Sequence, residues 1–229
     1  MLKLYIGNKN YSSWSMRPWV LMTQAGIAFE EILVPFGTEV DGVDANFKRV
    51  IGAINPTGTV PVLVDGELVV WDTLAICEYL AERFPELALW PQDVAQRARA
   101  RSVVAEMHAG FGALRSRCGM NIEAHLPEQG QLAMRDSPGV RANLARIVAM
   151  WSELLAAHGG PMLFGPFSIA DAYYAPIVMR IRTFDLPVPP VIADYMARLQ
   201  ALPGVKAWVD AALAEHIFVP HDEPYRVAG

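Results

Sequence analysis

Residues 59–83 read TVPVLVDGELVVWDTLAICEYLAER, and three signals follow one another in them. A Val-Pro pair opens an apolar run, the turn at Asp65-Gly66 sends the chain back through LVVW, and apolar residues at 74, 76, 77, 80 and 81 line one side of the rest. Asp-Gly between apolar runs is a strong hairpin signal. Spacings of three and four mark a helix face. The stretch therefore reads strand, strand, helix. Upstream, LKLYI (2–6) alternates as a strand does, and Met16, Trp19, Val20, Met22 and Thr23 suit a helix over 16–25 capped by Gly26. AFEEILV (28–34) is a second strand. An irregular stretch from Pro35 to Val43 then leads to a short helix around Asn46 to Ile54. The first 84 residues spell βαβαββα.

The pattern changes after Pro85. A proline-punctuated linker (85–92) precedes helical periods at about 93–117, 138–157, 168–184, 190–201 and 204–215. Ser137-Pro138 supplies a cap with proline in the first turn, and Pro203-Gly204 precedes VKAWVDAALAE. Ser168 and Asp171 have capping-box spacing, with Ile169 and Ala170 expected inside. Residues 93–229 are expected to form an all-α C-terminal domain.

The 229 residues carry a net charge of -5 and no long basic run, so neither nucleic acid nor a membrane surface is an expected partner. Arg97, Arg99 and Arg101 stand two apart, which spreads them around a helix as a solvated face. Cys77 and Cys118 lack metal or redox spacing, so two reduced thiols and no metal site are expected. With no signal-peptide pattern and no apolar stretch of membrane-spanning length, the expected location is cytoplasmic.

Four motifs, TVPVL (59–63), WDTLAICEYL (71–80), SSWSMR (12–17) and GPFSIADAYYAP (165–176), resemble the cytosolic glutathione S-transferase family and fall in its order along nearly the whole chain. The resemblance implies an α/β thioredoxin-like domain over 1–84, an all-helical domain over 93–229, glutathione as cosubstrate and a homodimer. It implies a cis bond between Val60 and Pro61 beside the cysteinyl part of glutathione. Asp72 and Thr73 match the family's acid-hydroxyl pair for the γ-glutamyl end, with Asp in the place of the usual Glu and Thr in that of Ser. Helix N-terminal N–H groups suit that carboxylate. Lys48 is a further candidate glutathione contact.

A transferase of this kind must turn a thiol of pKa about 8.5 into the nucleophilic thiolate, and a hydroxyl donor is the usual means. Ser12, Tyr11 and Tyr5 compete for that role. The segment Ser12-Ser13-Trp14-Ser15-Met16-Arg17 is similar to the SSCSxR segment of zeta-class and the SPFxxR segment of tau-class enzymes, which points to Ser12, with Ser13 as a second donor. Pro18 fits without a lost hydrogen bond only in a first helical turn, so the helix is expected to begin no earlier than about Ser15. Trp14 replaces the zeta cysteine and could wall the pocket for a small-molecule electrophile, together with Met107, His108 and Phe111 between the domains. The expected function is glutathione conjugation to a hydrophobic electrophile. The alternatives are a glutathione-dependent cis-trans isomerase like maleylacetoacetate isomerase, and a non-catalytic binder of apolar ligands.

Overall fold

The structure, a computed structural model, describes residues 1–37 and 45–226. The first half runs β1 (Leu2–Ile6), α1 (Ser13–Gln24), β2 (Phe29–Leu33), α2 (Ala45–Gly52), β3 (Val62–Asp65), β4 (Leu68–Trp71) and α3 (Thr73–Arg83). This is the βαβαββα order expected from the sequence. The irregular stretch expected at 35–43 is described only through residue 37; the remainder lies outside the described residues.

The sheet order is β2-β1-β3-β4, with β1 parallel to β2 and antiparallel to β3, and β3 antiparallel to β4. Alternation along β1 sorts its side chains. Leu2, Leu4 and Ile6 enter the main core with residues of α1 and α3, whereas Tyr5 packs on the other side with Phe47 and Ile51 of α2. Gly66 takes a positive φ of 62° in the β3–β4 turn, where Asp65 pairs with Leu68.

After a 3-10 turn at Pro85–Leu87 come α4 (Val94–Ala109), α5 (Gly112–Arg117), α6 (Pro127–Asp136), α7 (Pro138–His158), α8 (Ile169–Thr183), α9 (Pro190–Ala201) and α10 (Pro203–Glu215). α8 forms the axis of this half. Its residues are almost all buried, and the Tyr174 hydroxyl donates to the Val103 carbonyl of α4 (3.1 Å). α1 packs against both α8 and α10, so one helix joins the sheet to the helical half. No helix among the described residues is long and apolar enough to cross a membrane.

Three local expectations are corrected. The helix expected over 93–117 is broken: the Gly110 N–H closes α4 on Glu106, and Phe111 follows in the left-handed region at φ 55°. α6 (Pro127–Asp136) falls between the expected helical periods and contains Gly130. That glycine is a packing requirement, since a Cβ there would lie 1.8 Å from the Phe184 carbonyl oxygen. α1 begins at Ser13 rather than Ser15, with Pro18 inside it. Proline deprives the Trp14 carbonyl of its helical N–H partner. The Thr73 hydroxyl of α3 donates to that carbonyl instead (3.3 Å).

Candidate active site

The loop from Gly7 to Ser12 carries the sequence candidates and is held from the far end of the chain. The Asn8 carbonyl accepts from the Tyr11 and Ser12 N–H groups (3.1 and 2.8 Å). The Glu215 carboxylate at the end of α10 accepts from Asn8 Nδ2, Lys9 N and Asn10 N, each at 3.2 Å. Trp208 Nε1 donates to the Lys9 carbonyl (3.0 Å). Hydrogen bonds to a charged acceptor are stronger than neutral ones, so Glu215 fixes three donors of this loop at once.

Ser12 occupies the N-cap position of α1 but makes no side-chain cap bond. Its hydroxyl donates to that of Ser15 (2.7 Å), and the residue lines a cavity of about 400 Å³. Ser13 lines the same cavity and accepts from Arg180 Nη2 of α8 (3.3 Å). The tyrosines are placed differently. The Tyr11 hydroxyl donates to Glu223 Oε1 (2.8 Å) and accepts from Val219 N (3.4 Å), and burial, then the Glu223 carboxylate, drives its pKa well up. It anchors the C-terminal segment. Tyr5 packs with Phe47 and Ile51 of α2 and is not among the residues lining the Ser12 cavity.

The Val60–Pro61 peptide bond is cis. Val60 borders both the Ser12 cavity and an adjoining one of about 430 Å³, which Pro61, Asp72, Thr73 and His108 also line. Asp72 sits at φ 71° as the N-cap of α3, its Oδ1 accepting from Leu74 N and Ala75 N (2.8 and 3.4 Å). Its Oδ2 lies 3.6 Å from His108 Nε2. Thr73 departs from the role expected of it. Its side chain is buried with the hydroxyl on the Trp14 carbonyl, so the group at the α3 N-terminus that can meet an anion is its backbone N–H.

Cationic charge gathers around Trp14. The Arg17 guanidinium lies 4.1 Å and that of Arg115 4.8 Å from the indole centroid, and the His108 ring meets it edge-on at 5.2 Å. Arg17 is buried, donates from Nε to the Tyr173 carbonyl (3.2 Å), and leaves Nη1 without a partner. Arg180 donates from Nη1 to the backbone carbonyls of Arg115 and Cys118 (3.0 and 2.5 Å). Burial lowers the Arg17 pKa to about 10; burial, then repulsion from Arg17 and Arg115, lowers Arg180 to about 9. Among the described residues none of the three arginines forms a salt bridge. Arg115 and Arg180 line the Ser12 cavity, and burial raises the pKa of Asp222, which borders it from the C-terminal segment.

The structure thus brings Ser12, Ser13, Trp14 and Val60 together, with Pro61, Asp72, Thr73 and His108 next door. Three expected contacts fall elsewhere. Lys48 is exposed on α2 and borders neither cavity. Met107 is fully buried and Phe111 nearly so, both in the main core, because the α4–α5 break turns Phe111 inward. Arg115, Arg180, Ser15, Glu215 and the segment around Asp222 were missed. SSWSMR contains Ser15, which the sequence marks only as the expected start of the helix; the others carry no local motif. Cys77 and Cys118 are buried, with the Cys118 thiol pushed up to about 11 by burial, so neither supplies a reactive thiolate.

Residues 11–83 match the family described as glutathione S-transferase, N-terminal domain, and residues 95–211 match its C-terminal domain. Glutathione S-transferase Z1 of Arabidopsis thaliana is 40% identical over 94 residues, 39% of this chain and 40% of that protein, so the match spans two fifths of that relative's length. A probable maleylacetoacetate isomerase of Caenorhabditis elegans is 28% identical over 188 residues, 79% of this chain and 81% of that one. The crystal structure of the theta class glutathione S-transferase from Xanthomonas axonopodis pv. citri, with glutathione bound, is 27% identical and superposes with a TM-score of 0.67 over 93% of this chain and 98% of that one.

Proposed function

Because the chain belongs to the glutathione S-transferase family, we propose that it binds glutathione along the two adjoining cavities and activates the thiol through the Ser12 hydroxyl. The single observation that carries this reading is the Ser12 side chain itself. It stands at a helix N-cap, makes no cap bond and borders the cavity. The Val60 backbone lies against the cysteinyl part of glutathione, and the Thr73 N–H and Asp72 Oδ2 receive the γ-glutamyl carboxylate and amino group. Lowering a thiol pKa by two units takes about 2.7 kcal/mol, within reach of one charge-assisted hydrogen bond. Trp14 walls the electrophile side, and the nearby guanidinium groups add a positive field that favours the thiolate.

The test is calorimetric titration with glutathione followed by turnover of a chloro-dinitro aromatic electrophile. Ser12→Ala is expected to bind glutathione and lose about 99% of kcat/KM. A protein that binds no glutathione sinks the whole reading and leaves a binder of apolar ligands. One that binds it and turns over unchanged without Ser12 sinks the serine assignment alone.

A second reading is favoured by Arg115 and Arg180, two cavity-lining cations without an ion-pair partner among the described residues. They suit an anionic substrate, and the same thiolate would then add to a maleyl-type acid, permit rotation and leave again, as in a glutathione-dependent cis-trans isomerase. Recovery of intact glutathione with an isomerised product, in place of a stable conjugate, distinguishes the two. A homodimer in the cytoplasm completes the proposal, supported by the family and by two buried, unpaired cysteines.

A further inference from the structure

The hydroxyl of Ser15 is fully buried and accepts two hydrogen bonds, from Gly7 N (3.2 Å) and from the Ser12 hydroxyl (2.7 Å). A hydroxyl carries one proton and two lone pairs. Both lone pairs are occupied here, and among the described residues the proton of Ser15 has no acceptor. A buried donor without a partner is costly, and the neighbouring Ser12 oxygen can supply one. If the Ser12–Ser15 bond reverses, Ser15 donates to Ser12, and the Ser12 proton is released toward the cavity.

From this we infer that Ser15 is a positioning residue for thiol activation: the chain Gly7 N–H, Ser15 O–H, Ser12 O–H forms a relay that points the Ser12 proton at the glutathione sulfur and strengthens its donation. No bond is made or broken and no net proton moves. Two hydroxyl rotors turn together, and each donor in such a chain polarises the next. The titratable groups facing Ser12 across the cavity are Tyr11 in its own loop, Arg115 on α5, Arg180 on α8, and His221 and Asp222 in the C-terminal segment. Among the described residues none of these bonds to the Ser12 hydroxyl, whose partner there is Ser15.

The inference rests on Ser12 being the thiol donor, and the experiment separates the two. The pKa of enzyme-bound glutathione is read from the thiolate ultraviolet band, and kcat/KM is followed against pH, for wild type, Ser12→Ala, Ser15→Ala, Ser15→Thr and the double alanine variant. Ser15→Ala is expected to raise the bound thiol pKa by about half a unit to one unit. Its kcat/KM should fall about three- to tenfold below that pKa and recover above it, where the thiolate forms unaided. Ser15→Thr, which keeps a hydroxyl, should restore most of the shift, and Ser15→Ala should add nothing to Ser12→Ala. A loss equal at every pH means that Ser15 only supports the fold and overturns the relay. So does an unshifted thiol in a folded Ser15→Ala protein while Ser12→Ala is shifted. An unshifted thiol in Ser12→Ala overturns the serine assignment first, and the relay with it.

Discussion

Ser12 and Ser168 hold the same position at the heads of two packed helices, α1 and α8, and use their hydroxyls in opposite ways. Ser168 accepts from Ala170 N within its own helix, while Asp171 Oδ2 accepts from the Ser168 N–H (2.9 Å) and hydroxyl (3.2 Å), closing a capping box. Ser12 caps nothing, and its hydroxyl turns to Ser15 at the cavity edge. A serine at an N-cap is stabilising because it pairs an orphan N–H. One that forgoes the bond gives up that stabilisation and keeps its oxygen free of the helix backbone. Sequence position makes the two alike; their partners separate them.

The largest effect is expected at α8. Asp171 is fully buried and also accepts from Leu163 N (3.0 Å) and the Tyr195 hydroxyl (3.1 Å), far more than the cap bond its spacing alone suggested. Asp171→Ala should cost about 3–5 kcal/mol in denaturant unfolding, because it strands several buried donors, while turnover per folded molecule stays intact. Ser12→Ala is the mirror image. About 2.7 kcal/mol of transition-state stabilisation should go, a roughly hundredfold loss of kcat/KM, with little change in the unfolding midpoint. If instead Ser12→Ala unfolds the protein and Ser168→Ala stops turnover, the contrast has been assigned the wrong way round.

Smaller effects are expected around the two caps. Glu215→Gln keeps the size of the side chain and removes the charge that gathers the loop before Ser12, so kcat/KM should drop about fivefold to tenfold, mostly in kcat. Equal kinetics in both proteins would mean that Ser12 is placed without help from α10. Ser168→Ala should cost about 1 kcal/mol of stability and nothing in activity. Burial raises the Asp171 carboxyl to about 6, above its usual 3.8. The folded state therefore holds that proton more tightly than the unfolded chain. Its contribution is full below the unfolded value and is lost as pH rises through about 6. Urea melts of wild type and Asp171→Asn should accordingly show the wild-type advantage shrinking between those limits, and a gap that widens with pH would reverse the sign.

Features that depend on neighbours in sequence could be read in advance. The Asp65-Gly66 hairpin, the periodicity of α3 and the Ser168–Asp171 box are local, and so is the Val60-Pro61 pair, of which Val60 borders both cavities. Arg115, Arg180 and Glu215 escaped because each acts on residues about 100 to 200 positions away, and no spacing rule reaches that far. α1 starts at Ser13, ahead of the expected Ser15, for a related reason. The rule about proline counts hydrogen bonds within one helix, and here the missing bond is replaced from another.

That replacement reaches beyond the two helices. Pro18 and Thr73 form a matched pair: the ring at one position creates a vacancy on the Trp14 carbonyl, and the hydroxyl at the other fills it. Over evolutionary drift the two positions should not wander independently. A lineage that replaces Pro18 with a residue bearing an N–H releases the hydroxyl at 73 from its internal duty and makes it available to a bound carboxylate. Substrate affinity at the mouth of α3 could thus be retuned by a substitution buried in the interior of α1.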